Sequence, residues 1–169
     1  MPFHTPLEPN SFANADWEAN ANARRSASGS AVFLAGVPIA FKCKLQHAVA
    51  LNSTESELYA ACEAAKNTKY IRSVLRHLGF NVSSPAPTHE DNAATIAVSN
   101  NQRATKRLRH VDLRHFALLE WVKNGDVVLK HIPSANNPAD ELTKPLGPIL
   151  HCRHSNTLLG KRPPAYCSF

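Results

Sequence analysis

Three carboxylate side chains from distant parts of the 169-residue chain lie where a strand or loop is predicted to meet a helix. They are Glu57, Asp91 and Asp140. Such junctions hold a side chain rigidly, and hard divalent cations such as Mg²⁺ favour carboxylate oxygens and tolerate few geometric errors. Together the three acids therefore predict a divalent-metal centre suited to the cleavage of phosphodiester bonds.

Each acid also has a purely structural interpretation. Thr54 and Glu57 form the Thr-x-x-Glu pattern of a capping box at a helix start. Asp91 and Asn92 fit a helix N-cap or a turn, and Asp140 fits the first turn of a helix, where the helix dipole favours an acid. Taken one at a time, these residues leave both interpretations open.

The pattern around these acids predicts three strands followed by alternating helices and strands, which is an α/β arrangement. Apolar residues recur at helical spacing between 54 and 78, and the first three strands are expected to form an antiparallel meander. The expected strands are 10–17, 31–35, 39–44, a short strand ending near Asp91, and 126–132; the expected helices are 54–78, 93–99, 110–123 and one with Pro138 in its first turn; 20–30 is an expected loop and 83–87 an expected linker.

Composition sets outer bounds on the function. A chain of this length suits one domain with a sizeable core, and a formal charge of +6 with a pI of about 9.4 favours a polyanionic partner. No apolar run approaches the roughly 18 residues of a membrane span, and the N-terminus lacks a signal-peptide pattern, so an intracellular protein without a membrane partner is expected. The cysteines form no Cys-x-x-Cys pair, and His151-Cys152-Arg153-His154 lacks a matching second half, so neither disulfides nor a zinc site are expected.

Six short motifs occur in the order and with the spacing of one protein family. On these motifs the chain resembles the ribonuclease H domain that ends the polyprotein of copia-type retrotransposons. The match covers roughly residues 11–146, with 1–10 as an irregular lead-in and 147–169 as a C-terminal extension. The motifs are Ala15-Asp16-Trp17, Arg25-Ser26-Ala27-Ser28-Gly29, Leu51-Asn52-Ser53-Thr54-Glu55-Ser56-Glu57, Glu90-Asp91-Asn92, Arg109-His110-Val111-Asp112-Leu113-Arg114 and Ala139-Asp140-Glu141-Leu142-Thr143-Lys144-Pro145-Leu146.

The resemblance implies a ribonuclease H-like fold, in which one mixed five-stranded sheet with three antiparallel strands first is flanked by helices. It implies cleavage of the RNA strand of an RNA–DNA hybrid, with two Mg²⁺ ions, or Mn²⁺ in their place, between acidic side chains and the scissile phosphate. It also implies a reverse transcriptase domain upstream in a parent polyprotein.

Carried over residue by residue, the resemblance assigns the catalytic, metal-binding positions to Asn14, Glu57, Asp91 and Asp140. The family has an aspartate where this chain has Asn14, which offers one neutral carbonyl oxygen in place of two anionic oxygens. Activity is therefore expected to be weakened or lost. Asp16 faces the same side of the strand but lies roughly 6–7 Å further along it, so it can replace the missing ligand only if a bulge narrows the gap.

Substrate contacts are expected from two groups of residues. A basic group precedes and enters the helix near residue 110, where its side chains either contact phosphates of the DNA strand or form a solvated helix face. A polar group lies beside the metal positions, where it can approach the 2′-hydroxyl groups that distinguish RNA. The basic residues are Arg103, Lys106, Arg107, Arg109 and Arg114, and the polar residues are Asn52, Ser53 and Asn92.

The departure at Asn14 leaves the function open. One interpretation is a hybrid-specific ribonuclease H that is weakened at this position. The alternative is a domesticated, non-catalytic nucleic-acid-binding or scaffold module that kept the fold. An integrase- or transposase-type protein of the same fold superclass is disfavoured, because it needs a different acidic triad. The sequence does not separate an engineered change from a decayed element or a domesticated module.

Overall fold

The computed structural model describes residues 7–20, 25–47, 49–100, 113–162 and 164. Within these residues, no helix combines the length and the apolar character needed to cross a bilayer. In chain order the elements are β1 (Pro9–Asn20), β2 (Arg25–Leu34), β3 (Val37–Leu45), α1 (Ser53–His77), β4 (Ala86–Glu90), α2 (Ala93–Asn100), α3 (Leu113–Lys123), β5 (Val127–His131), a first 3₁₀ helix (Ser134–Asn136), a second 3₁₀ helix (Pro138–Leu142) and α4 (Pro148–Leu158).

The five strands form one mixed sheet in the order β3-β2-β1-β4-β5. β1, β2 and β3 pair antiparallel, whereas β4 pairs parallel with both β1 and β5. These pairings confirm the predicted fold class and its leading antiparallel meander. The parallel pairing matches Phe12 with His89, and continuing that register brings Asn14 level with Asp91, just beyond the carboxyl end of β4.

One face of the sheet is covered by α1. Small and aliphatic side chains of α1 pack against Ala13 and Ala15 of β1, Leu118 of α3 and Val127 of β5. The alanines on this side of the helix let its backbone lie close to the strands, and burial of the apolar surface stabilises the contact by about 25 cal/mol per Å². The helix that carries Glu57 is therefore fixed against the central strand.

The opposite face is covered by the second 3₁₀ helix and α4. Phe12 and Phe33 of the sheet are buried with Ala139, and Leu158 of α4 packs against this cluster. The second 3₁₀ helix lies directly over Gly29 of β2. A Cβ atom at this position would lie 2.7 Å from the carbonyl oxygen of Ala139. The close approach of the segment that carries Asp140 therefore requires glycine.

The structure differs from the sequence prediction mainly at β2, β4 and the Pro138 segment. β2 begins at Arg25 and not at residue 31, because the small residues of the expected loop pack tightly between the two layers; Ser26 and Ser30 are buried. β4 begins at Ala86, inside the expected linker, and Pro138 begins a five-residue 3₁₀ helix and not an α-helix. The expected start of α3 near residue 110 lies outside the described residues.

Candidate metal centre

Acidic side chains from two elements meet at the carboxyl end of β4. Glu57 projects from α1, Glu90 is the last residue of β4, and Asp91 follows it. One ligand oxygen from each of the three lies within 4.8 Å of the others. Since Mg²⁺ binds oxygen atoms at about 2.0–2.1 Å and Ca²⁺ at about 2.3–2.6 Å, these separations are close to those between the ligands of one divalent cation.

Glu57 is buried and directed at the central strand. The backbone N–H of Ala15 donates to Glu57 Oε2 at 2.6 Å, which fixes the orientation of the carboxylate. Burial and then the negative charges of Asp91 and Asp140 raise the pKa of Glu57 to about 8, although the hydrogen bond from Ala15 opposes the shift. Carboxylates crowded in a poorly hydrated place repel one another, and a divalent cation relieves that repulsion.

Glu90 is a fully buried acid that sequence reasoning missed. Glu90 Oε1 accepts hydrogen bonds from the backbone N–H groups of Asp91 at 3.1 Å and Asn92 at 3.2 Å, whereas Oε2 has no hydrogen-bond partner among the described residues. Burial, with the charges of Glu57 and Asp91, raises the pKa of Glu90 well above its usual range. The sequence signal that could have indicated its burial is the alternation of side chains along β4, which puts Glu90 on the same face as buried Thr88.

Asp140 belongs to the same electrostatic site and comes from the second 3₁₀ helix. Asp140 Oδ2 accepts hydrogen bonds from Ser134 Oγ at 3.0 Å and from Lys144 Nζ at 3.0 Å, whereas Oδ1 is buried without a hydrogen-bond partner among the described residues. Burial raises the pKa of Asp140, although the contact with Lys144 lowers it. The charge of Asp140 in turn raises the pKa of Glu57.

Lys144 brings a positive charge to this site, and the sequence analysis assigned it no role. Burial lowers the pKa of Lys144, but its hydrogen bond with Asp140 and the charges of Asp140, Asp91 and Glu57 outweigh burial and raise that pKa. The ammonium group therefore stays charged beside the carboxylates and offsets part of their mutual repulsion.

Asn14, at the position of the expected aspartate, is buried in β1 opposite Gly29. Asn14 Nδ2 donates to Thr143 Oγ1 at 2.7 Å, and Thr143 Oγ1 donates to the carbonyl oxygen of Asp140 at 3.1 Å. Asn14 is thus tied to the segment that carries Asp140. The pairing of β1 with β2 is regular from Asn14 to Asp16, so no bulge in this described stretch brings Asp16 closer to the other acids.

The cap of α1 lies two residues before the one suggested by the sequence. Asn52 Oδ1 accepts a hydrogen bond from the backbone N–H of Glu55 at 2.9 Å, and Glu55 Oε2 accepts one from the backbone N–H of Leu51 at 2.7 Å. Asn52 is therefore the N-cap of α1, and Glu55 holds the preceding residue, so the interpretation of Thr54 and Glu57 as a capping box was wrong. The carboxylate of Glu57 turns to β1 and the acidic site instead.

The other predicted substrate contacts are only partly described. Asn92 Oδ1 accepts a hydrogen bond from the backbone N–H of Ala94 at 2.9 Å and so caps α2, and Ser53 is exposed at the start of α1. Contact with a hybrid stays a prediction for both groups. Of the basic group, Arg103, Lys106, Arg107, Arg109 and the side chain of Arg114 lie outside the described residues.

Sequence comparison relates the chain to retrotransposon polyproteins. No protein-family model matches the chain. The chain is 31% identical over 133 residues, 79% of its length, to the retrovirus-related Pol polyprotein from transposon TNT 1-94 of Nicotiana tabacum. It is 28% identical over 143 residues, 85% of its length, to the retrovirus-related Pol polyprotein from transposon RE2 of Arabidopsis thaliana. In both cases the chain spans 10% of the length of the relative.

Structural comparison identifies the fold. LC11 ribonuclease H1 in complex with an RNA/DNA hybrid is similar to the chain with a TM-score of 0.59 and 15% identity, over 80% of this chain and 94% of that one. The N-terminal ribonuclease H domain of rv2228c from Mycobacterium tuberculosis is similar with a TM-score of 0.56 and 13% identity, over 89% and 98% of the two chains. The sequence relatives and this shared fold together confirm the resemblance inferred from the six motifs.

Proposed function

We propose that this chain, a ribonuclease H-like domain related to a segment of copia-type retrotransposon Pol polyproteins, is built to cleave the RNA strand of RNA–DNA hybrids and is weakened or silenced at Asn14. The observation that carries the proposal is the close grouping of Glu57 with Glu90 and Asp91, beside Asp140, whose charge also raises the pKa of Glu57. An RNA–DNA hybrid is the proposed substrate, and a reverse transcriptase domain is the proposed neighbour in a parent polyprotein.

The donor set fits a divalent cation. Asp140 Oδ1 and Glu90 Oε2 are buried oxygens that lack a hydrogen-bond partner among the described residues, and a buried acceptor without a partner carries a desolvation cost that a cation removes. Glu57, Asp91 and Asp140 would hold Mg²⁺, or Mn²⁺ in its place, with Glu90 as an additional donor. When bound, such ions supply activation of the attacking water and stabilisation of charge on the leaving oxygen.

The chain's own residues fix this donor set in advance. Ala15 orients Glu57 through its backbone N–H, and Ser134 and Lys144 orient Asp140. Asn137 Nδ2 donates to the carbonyl oxygen of Ala13 at 2.8 Å and so ties the start of the second 3₁₀ helix to β1. A site held by such contacts does not have to reorganise when charge develops in the reaction.

The alternative function is a non-catalytic nucleic-acid-binding or scaffold module, and one contact favours it. Asn14 donates a hydrogen bond to Thr143 through an amide N–H that an aspartate does not have. The asparagine is therefore integrated into the packing of the second 3₁₀ helix against β1. A protein that uses the fold for binding loses nothing by this exchange, whereas a nuclease loses an anionic ligand.

A cleavage assay separates the two functions. The parent chain, Asn14→Asp and the double variant Asn14→Asp/Asp91→Asn are incubated with an RNA–DNA hybrid labelled on the RNA strand, with Mg²⁺ or Mn²⁺. We expect Asn14→Asp to cleave the RNA strand orders of magnitude faster than the parent, and the double variant to be inactive while still folded. If every variant binds the hybrid and none cleaves it, the alternative function is favoured. If the parent and Asn14→Asp cleave at equal, measurable rates, Asn14 is not the missing ligand.

A further inference from the structure

A polar cavity lies between the 3₁₀ helices and α4, and nothing in the proposed cleavage chemistry uses it. Its volume is about 220 Å³. By the same measure one water needs only about 10–15 Å³, so the cavity has room for a polyatomic ligand. The polar residues that line it are Asn136, Arg153, His154, Thr157 and Arg162. We call it the α4 cavity.

His154 lines the α4 cavity and has a buried ring nitrogen. The side chain is 3% exposed, and its Nε2 atom has no hydrogen-bond partner among the described residues. Burial lowers the pKa of His154, although the charge of Asp140 opposes the shift. A buried ring nitrogen without a partner is costly, so a polar group that reached Nε2 would be stabilised there.

The charge of the α4 cavity is positive. Arg153 and Arg162 both line it, and neither forms an ion pair with another described residue. No acid lines the cavity among the described residues, and the two acids that act on His154 each have one engaged oxygen: Asp140 Oδ2 pairs with Lys144, and Glu141 Oε1 accepts a hydrogen bond from Ser155. A cation would be repelled by the two guanidinium groups, whereas an anion would be attracted.

We infer that the α4 cavity binds a phosphate group, which the guanidinium groups of Arg153 and Arg162 hold. Guanidinium groups match phosphate oxygens with paired N–H donors, and such charge-assisted hydrogen bonds are the strong ones. A phosphate offers more acceptor oxygens to these two guanidinium groups than a carboxylate does. The phosphate belongs either to a nucleic acid or to a small molecule, since both present the same chemistry. The site needs no metal ion and does not depend on the proposed cleavage.

Titration calorimetry in the presence of EDTA tests the inference, because chelation removes any contribution from the metal centre. The probes are inorganic phosphate, a nucleoside 5′-monophosphate, the corresponding nucleoside and a short RNA–DNA hybrid. Arg162 is exposed, so Arg162→Gln removes one guanidinium group without disturbing the core. Lys161→Gln is the matched control, because it removes the same charge from an adjacent exposed residue that does not line the cavity.

We expect saturable binding of one phosphate group per chain, weakened about tenfold or more by Arg162→Gln, as for the loss of one charge-assisted hydrogen bond. Lys161→Gln should bind as the parent does, and the His154 ring signals in NMR spectra should shift on titration. Binding of the monophosphate but not the nucleoside supports the site with a small-molecule source. Binding of the hybrid alone, with the same sensitivity to Arg162→Gln, supports it with a nucleic-acid source. The inference is overturned if no probe binds, or if both variants lose affinity equally.

Discussion

Four carboxyl groups and one ammonium group share the candidate metal centre, and their charges do not cancel. Burial raises the pKa of Glu57, Glu90 and Asp140, and mutual repulsion adds to the effect at each of them. Lys144 offsets this repulsion only in part, because its hydrogen bond is made with Asp140 alone among the described acids. At the scale of single residues, the protein without metal therefore tolerates a local destabilisation that a divalent cation would remove.

Asn14→Asp should lower the stability of the metal-free protein. The variant loses the amide N–H that Asn14 donates to Thr143 and adds a carboxylate to an already acidic site, so we expect a loss of about 1–3 kcal/mol. Urea denaturation in EDTA measures it. Asn10→Asp, a half-buried position on the same strand away from the acids, is the matched control. A variant as stable as the parent would mean that residue 14 does not face the acidic site.

At the scale of elements, the start of β2 and the N-cap of α1 depend on three-dimensional packing. The sequence predicts the start of α1, the end of β4 and the start of the helix at Pro138 to within a few residues, because the residues that mark these boundaries act locally. It does not predict that β2 starts at Arg25, since small residues selected by close packing resemble a loop. It also cannot choose between two overlapping caps, Asn52 with Glu55 or Thr54 with Glu57, because both fit the same local pattern.

The two caps make opposite predictions for stability. Asn52→Ala should cost about 1 kcal/mol, because its side chain accepts a hydrogen bond from a backbone N–H at the start of α1. Thr54→Ala should leave the free energy of unfolding nearly unchanged. Chemical denaturation of the two variants side by side decides the matter, and a larger loss in Thr54→Ala would restore the cap that the sequence suggested.

The packing of the second 3₁₀ helix on β2 can be tested at Gly29. A Cβ atom at this position would lie 2.7 Å from the carbonyl oxygen of Ala139 and 2.8 Å from Thr143 Cγ2, so Gly29→Ala should cost about 1–3 kcal/mol through overpacking. Gly147→Ala is the control, since a Cβ atom there meets nothing within 4 Å. Equal stability of the two variants in urea would show that the second 3₁₀ helix does not sit on β2 as described.

At the scale of the whole molecule, the excess of basic residues is the main guide to the partner. The formal charge is +6, and much of the basic group predicted to contact phosphates lies in the segment 101–112, outside the described residues. The sequence could predict this group from charge alone. Which phosphate each side chain contacts depends on a partner and on a segment whose placement the structure does not describe.

The basic group predicts a salt dependence of hybrid binding. Replacement of Arg107 and Arg109 with alanine should weaken hybrid affinity and lower the slope of log affinity against log salt by about one to two units, since each lost phosphate contact removes roughly 0.9. Fluorescence anisotropy at several salt concentrations measures the slope. If the double variant and the parent have the same slope, these residues do not contact phosphates and the interpretation as a solvated helix face is favoured.

The most direct test of the central claim, that acids from α1, β4 and the second 3₁₀ helix form one divalent-cation site, is titration of Mg²⁺ and Mn²⁺ by calorimetry. We expect saturable binding to the parent, loss of that binding in Asp91→Asn, and affinity higher by about tenfold or more in Asn14→Asp, which adds an anionic ligand. Circular dichroism confirms that each variant is folded. Equal affinities of the parent and Asp91→Asn for both ions would contradict the account, because the acids would then not form a metal centre.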